Sequence, residues 1–189
     1  MPPAPEPPSI SDETLMDRYC AGDPAAFEEL FRRYAHRLTR FVTPYVGATQ
    51  AEDTAQQVFL KMHHARSTFR AGARVAPWLF TIGKNLALDH LRSAAHRKEL
   101  KDGEDVVVPV DPRDPDPVLD RAVRAAVATL PPEQREVVSL HWFGGLTFPE
   151  VAVVVGASHE AVRARAHRGY GALRTQLGDV AAGLGLGGA

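Results

Sequence analysis

The sequence has a single cysteine, Cys20, so no disulfide can form within the chain. No stretch approaches the roughly 20 uninterrupted apolar residues that a membrane-spanning helix needs. Met1 to Pro8 carries neither the basic segment nor the apolar run of a secretory signal. These absences predict a soluble protein of a reducing cytoplasm, with no direct membrane insertion. A surplus of charge is missing too, since 22 Lys and Arg against 23 Asp and Glu leave a net charge of −1. That balance excludes a chain that coats nucleic acid indiscriminately and confines any such contact to local patches. Eight histidines invite a search for a metal, but His63 and His64 are adjacent, about 100° apart on a helix. Neither a His-Glu-x-x-His pattern nor a cysteine pair occurs, so no metal, no cofactor and no catalysis by this chain are expected. Sustained two-residue alternation is also lacking, and the expected fold class is all-α.

What is present suffices for two small helical domains in 189 residues, with 44% of residues apolar. Charge is segregated along the chain. Between residues 99 and 120 there are eight acids against two bases, Lys101 and Arg113, together with Pro109, Pro112, Pro115 and Pro117. Proline stiffens the backbone and like charges repel, so the segment reads as an extended linker. The predicted organisation is a tail over 1–9, a helical domain over 10–98, an acidic linker over 99–116, a second helical domain over 117–177 and a Gly- and Ala-rich tail over 178–189.

In the first domain Ser11 and Asp12 can cap a short helix that ends near Gly22, and Asp23 with Pro24 opens a second. There Phe27, Leu30, Phe31, Tyr34, Leu38, Phe41, Val42 and Tyr45 recur at three- and four-residue steps, an apolar stripe. Thr49 with Glu52 reads as a capping box for a third helix that buries Ala55, Val58, Phe59 and Met62. A loop over Arg70–Pro77 precedes a fourth helix that starts near Trp78 and buries Leu79, Ile82, Leu86 and Leu91. In the second domain one helix stops at Pro131, another follows Pro132, and Gly144 and Gly145 break it. Thr147 caps a short helix, Gly156 turns the chain and Ser158 caps a last, longer helix, which is helix-turn-helix spacing. Val162, Ala166, Gly169, Leu173 and Leu177 fall on the inner side of that last helix. Arg163, His167 and Arg168 fall on its open side, where guanidinium forks can reach phosphates or the acceptor edge of guanine.

Leu130-Pro-Pro-Glu-Gln-Arg135, Gly144-Gly-Leu-Thr-Phe-Pro-Glu-Val-Ala152, Val155-Gly-Ala-Ser158 and Ala166-His-Arg168 together resemble region four of bacterial RNA polymerase sigma factors. Ala51-Glu-Asp-Thr-Ala-Gln56, Val58-Phe59 and the run from Trp78 to Arg92 resemble region two of the same family, in its extracytoplasmic-function subfamily. One helix-turn-helix alone would equally suit a regulator with a helical sensor domain. Two unrelated modules in the family's order are far more specific.

The resemblance implies a subunit that gives core RNA polymerase its promoters and helps to melt them. It implies that Glu52, Asp53, Gln56 and Gln57 form the face that binds the polymerase clamp coiled coil. It implies that the loop before Trp78, with Arg70, Arg74, Lys84, Asn85 and Arg92, holds the opened minus-ten strand. Ser158, Arg163, Arg165, His167 and Arg168 would then serve the minus-thirty-five element, Ser158 chiefly as a helix cap. Arg165 lies closer to the buried stripe, where it touches phosphate, the polymerase flap or nothing. Core polymerase, promoter DNA and an anti-sigma protein are the implied partners. Three departures from the family pattern bear on packing, because Gly83 sits in a helix interior usually filled by Ala, Ala166 replaces a usual larger aliphatic residue and Gly169 stands for a usual Ala.

Overall fold

A computed structural model describes the backbone over residues 10–98 and 117–183, and the side chains over residues 10–93 and 122–178. The acidic linker expected over 99–116 and the tail expected over 1–9 lie outside the described residues. Eight α-helices make up the described fold: α1 (Asp12–Cys20), α2 (Pro24–Val46), α3 (Ala48–Ala65), α4 (Val75–Lys98), α5 (Pro117–Thr129), α6 (Pro132–Val138), α7 (Phe148–Val155) and α8 (His159–Gly183). A 3-10 turn (Arg66–Thr68) follows α3, and a π turn (Ser139–Phe143) continues α6. No strand occurs among the described residues, so the fold is all-α.

Ser11 caps α1 by accepting from the Thr14 amide at 3.2 Å, and Asp23 caps α2 by accepting from Ala25 at 3.0 Å. The stripe on α2 buries Leu30, Tyr34, Leu38, Phe41 and Val42 at 1% exposure or less, which binds α2 to α1, α3 and α4. Phe31 leaves that stripe and stands 40% exposed. Polar ties fasten α1, since Tyr34 donates to Asp12, Arg33 pairs with Asp12 at 2.6 Å, and Tyr19 meets Nδ1 of His63 at 2.5 Å. Hydrogen bonds from Arg32 and Arg33 hold the Glu29 carboxyl down at about 2.

The capping box expected from Thr49 and Glu52 does not form. Gly47, at φ +77, closes α2 and opens α3 at once, so α3 begins at Ala48 and Thr49 already lies in its first turn. The fourth helix starts earlier than expected, at Val75 rather than near Trp78. Pro77 sits in its first turn, where a missing N–H leaves no bond unmade, and the wholly buried Val75 anchors the start. The loop before α4 therefore narrows to residues 69–74. At the other end α8 runs to Gly183, so the tail expected from residue 178 begins as helix.

The two helical sets do not stand apart. Val137, Leu140, Leu146, Val151, Val154, Val162 and Ala166 join the core formed by α1–α4 as one continuous apolar cluster. A smaller cluster of Ala126, Val127, Leu130, Val138, Phe143 and Leu173 ties α5 to α6 and α8. The π turn matters here, because its extra residue turns Phe143 inward at 3% exposure and leaves Trp142 outside at 60%. Arg124 of α5 is 4% exposed, reaches the Thr43 hydroxyl of α2 at 3.5 Å and faces the Phe143 ring at 6.0 Å.

The glycines flagged in the sequence have opposite packing. A Cβ on Gly169 would lie 2.7 Å from Cγ2 of Val138, so glycine lets α8 approach α6. A Cβ on Gly83 would meet Leu38 and Val58 at 3.5 Å and Phe41 at 3.6 Å, ordinary van der Waals contact. Gly83→Ala is expected to stabilise the protein by about 0.5–1 kcal/mol, because alanine loses less backbone freedom on folding than glycine. Thermal unfolding should show a rise of roughly 1–4 °C; a fall would mean that α4 cannot accept the methyl group.

Candidate nucleic-acid and polymerase interfaces

Helix α3 buries Ala51, Thr54, Ala55, Val58, Phe59 and Met62 and turns Glu52, Asp53, Gln56 and Gln57 to solvent. These four form one strip, since positions four apart on a helix share a face. Sequence reasoning missed the apolar groups beside it. Phe31, its ring centroid 4.7 Å from that of Phe59, and Leu60, 57% exposed, line an open groove of about 460 Å³ that Gln56 borders. The signal for Leu60 was its place one step from the buried Phe59, on the strip's own side. Uncovered apolar groups flanked by carboxylates and amides suit a partner helix, with the apolar contact giving affinity and the polar groups register.

The residues assigned to the opened strand lie on the loop and on α4. Arg70 and Arg74 are exposed on the loop, where Gly72 takes φ +77. Asn85 is exposed, and Arg92 pairs with Asp89 of its own helix at 3.1 Å. Lys84 is engaged: its Nζ donates to the Val154 carbonyl at 2.9 Å and lies 3.3 Å from the Glu136 carboxylate. Arg74 also has partners, Glu150 at 3.1 Å and Glu13 at 3.5 Å. Trp78 is partly buried and packs on Phe69 at 4.9 Å between centroids, an anchor of the α4 start. An open apolar cleft of about 610 Å³ lies between this end of α4 and α7, with Val153 exposed in its wall.

The helix-turn-helix is α7, the turn at Gly156 in left-handed conformation (φ 67), and α8. Thr147 and Glu150 form a reciprocal capping box on α7, and Ser158 accepts from the Ala161 amide at 3.2 Å at the start of α8. Burial tends to push the Glu150 carboxyl up. The hydrogen bonds from the Thr147 backbone and hydroxyl and from Arg74 outweigh it and hold the group below the ordinary glutamate value. Val162, Ala166, Gly169 and Leu173 are buried and Leu177 partly so, while Arg163, His167 and Arg168 are exposed. Arg165 is turned toward α6, where its Nε lies 3.1 Å from Glu133 and its side chain is 22% exposed. The structure thus gathers Arg163, His167 and Arg168 on one open face and separates Arg165 from them.

Comparison with known proteins agrees with this geometry. The Sigma-70 region 2 family matches residues 30–97, and the family Sigma-70, region 4 matches residues 120–173. The RNA polymerase sigma factor CarQ of Myxococcus xanthus is 39% identical over 168 residues, covering 87% of this chain and 97% of CarQ. The ECF RNA polymerase sigma factor SigM of Mycobacterium tuberculosis is 34% identical, covering 93% of this chain and 89% of SigM. Among solved structures, CnrH in complex with the cytosolic domain of CnrY superposes with a TM-score of 0.69 at 26% identity, over 89% of this chain and 97% of CnrH. With both regions matched in order and most of the chain aligned, this protein belongs to the extracytoplasmic-function sigma factors, which recognise promoters for RNA polymerase and initiate transcription with it.

Proposed function

We propose the following division of labour within that role. The α3 strip of Glu52, Asp53, Gln56 and Gln57, with Phe31 and Leu60 beside it, docks on the clamp coiled coil of core polymerase. The loop over 69–74 and α4, through Arg70, Arg74, Lys84, Asn85 and Arg92, hold the opened strand of the minus-ten element. Helix α8 reads the minus-thirty-five element with Arg163, His167 and Arg168, Ser158 acts as its cap, and Arg165 steadies α8 on α6. The chain carries out no bond chemistry itself and works in the cytoplasm, and RNA synthesis belongs to core. An anti-sigma protein is a further partner, a reading supported by the likeness to CnrH held by a second protein's cytosolic domain.

The observation that carries this reading is the pair of uncovered, chemically distinct faces on one chain. The α3 face is acidic and apolar and suits protein, whereas the α8 face is cationic and suits DNA. The test is in vitro transcription with purified core on fragmented genomic DNA. Discrete starts that appear only when the chain is added support it, and failure of two folded components to associate on mixing sinks it. Asp53→Lys with Gln56→Ala should remove about 1–3 kcal/mol for each well-desolvated charged contact. Association with core by gel filtration should weaken accordingly while helix content stays unchanged; undiminished association would remove α3 from the docking face.

A further inference from the structure

The junction between α1–α4 and α6–α8 is closed by the shared core and by Arg37 of α2, which donates through Nε to the Gly144 carbonyl at 2.9 Å. One edge of it stays open. There Ala73, Pro77 and Trp78, on the loop and first turn of α4, face Pro149 and Val153 of α7 across the apolar cleft of about 610 Å³, which Arg74 also lines. Val153 is 70% exposed in that wall. Trp78 packs on Phe69, and among the described residues its indole N–H has no acceptor. Uncovered apolar surface beside an unspent donor suits a chain that brings carbonyl oxygens and little charge.

Residues 1–9, 99–116 and 184–189 lie outside the described backbone, and they differ in how they meet this cleft. Helix α8 leads away for 25 residues, about 37 Å at 1.5 Å per residue. The six residues after it extend only about 20 Å, too short to return. The stretch after α4 is rich in acids, and the Arg74 beside the cleft already has Glu13 and Glu150 as partners. Residues 1–9 enter at Ile10, next to α1, whose first-turn Glu13 lies 3.5 Å from Arg74. At the roughly 3.1 Å per residue of a polyproline strand they span about 28 Å, ample for a cleft one side chain away. Pro2, Pro3, Pro5, Pro7 and Pro8 are five of these nine residues, and Glu6 is their one charged side chain. Arg70, on the loop that borders the cleft, offers a cation for it. Proline has no N–H and a fixed φ, so such a segment presents acceptors on a backbone that loses little freedom when bound. Grooves walled by tryptophan and apolar groups take strands of this kind. We propose that residues 1–9 seat in the α4–α7 cleft as an extended polyproline strand, with prolines against Trp78, Pro149 and Val153. The seated strand ties the first helical set to α7, and its assignment is independent of which faces bind DNA or polymerase.

The experiment uses the full chain with Trp142→Phe, which leaves Trp78 as the sole tryptophan. Cys20→Ser with Ala4→Cys then places a nitroxide, a contact quencher of tryptophan, in the tail. A short tether holds the tail at millimolar effective concentration, so a seated tail should lower Trp78 emission roughly two- to tenfold against the unlabelled chain. Two more full-length variants carry the same label. Val153→Arg changes an exposed wall position, and Pro5→Gly/Pro7→Gly/Pro8→Gly keeps the tail's length while removing its stiffness. Both should restore most of the emission, with helix content unchanged by circular dichroism. In the unlabelled glycine variant acrylamide should quench Trp78 more strongly, because the cleft then stands open to solvent. Emission that the label fails to lower leaves the cleft to another protein and overturns the proposal. Quenching that survives both variants reports chance encounters of a tethered label and overturns it as well. Quenching lost on roughly hundredfold dilution would seat the tail on a second copy of the chain and overturn the intrachain strand.

Discussion

Replacing Arg163 and Arg168 together by alanine should lower the affinity of the polymerase complex for its promoter by about 1–3 kcal/mol for each arginine that reads a base edge. That is roughly 5- to 150-fold per arginine at fixed salt. Both side chains are exposed on α8 while Val162, Ala166 and Gly169 hold the opposite face in the core, so truncation removes charge and donors without opening a cavity. Arg165 is the internal contrast. Its guanidinium is bound to Glu133 on the neighbouring helix, and Arg165→Ala should cost about 0–1 kcal/mol in stability and little in promoter affinity. Gel-shift titration across a salt series separates the two kinds of DNA recognition. Removing an arginine that binds phosphate flattens the dependence of log K on log salt by about one unit, whereas removing one that binds only a base shifts the line with its slope preserved. Unchanged affinity at matched salt would remove these arginines from the reading head.

The architecture was legible wherever one local rule decided it. Ser11, Asp23, Thr147 and Ser158 cap the helices that follow them, and the periodicity of α8 separated its buried from its open residues because one stripe takes all of its packing against α5, α6 and α7. The expectations that failed depended on the chain's surroundings. Thr49 and Glu52 have the spacing of a capping box, but the corner at Gly47 is too tight to leave Thr49 outside the helix. Phe31 has the period of a core residue, yet the groove between α2 and α3 leaves it in water. Least legible was the junction. Arg37 gives no sign in sequence that it will seek a carbonyl 107 positions away, and Lys84 and Glu136 belong to segments with no common motif. The cations assigned to DNA were readable as charges, but the partial burial of Lys84 and the carboxylate partners of Lys84 and Arg74 were not.

Phe80 tests whether that junction is part of one core. It is wholly buried on α4, its ring meets Phe41 at 5.3 Å and Tyr34 at 6.5 Å, and the Arg37 guanidinium lies 5.6 Å from it. A Cβ on Gly144 would come within 2.9 Å of the same ring, so Phe80 also supports the end of the π turn from the other side of the junction. Phe80→Ala should destabilise the protein by about 3–5 kcal/mol, the transfer and cavity terms of a large aromatic acting together. Against the roughly 5–15 kcal/mol typical of a folded domain, such a decrease leaves little margin. The two tryptophans report the outcome separately, because Trp78 stands on α4 and Trp142 on the π turn. In Trp142→Phe and Trp78→Phe backgrounds, urea unfolding followed by the remaining tryptophan should show both midpoints falling together if the cluster is one cooperative unit. A midpoint that falls for Trp78 and stays in place for Trp142 would mean that the two helical sets unfold independently and that the shared core adds little to either.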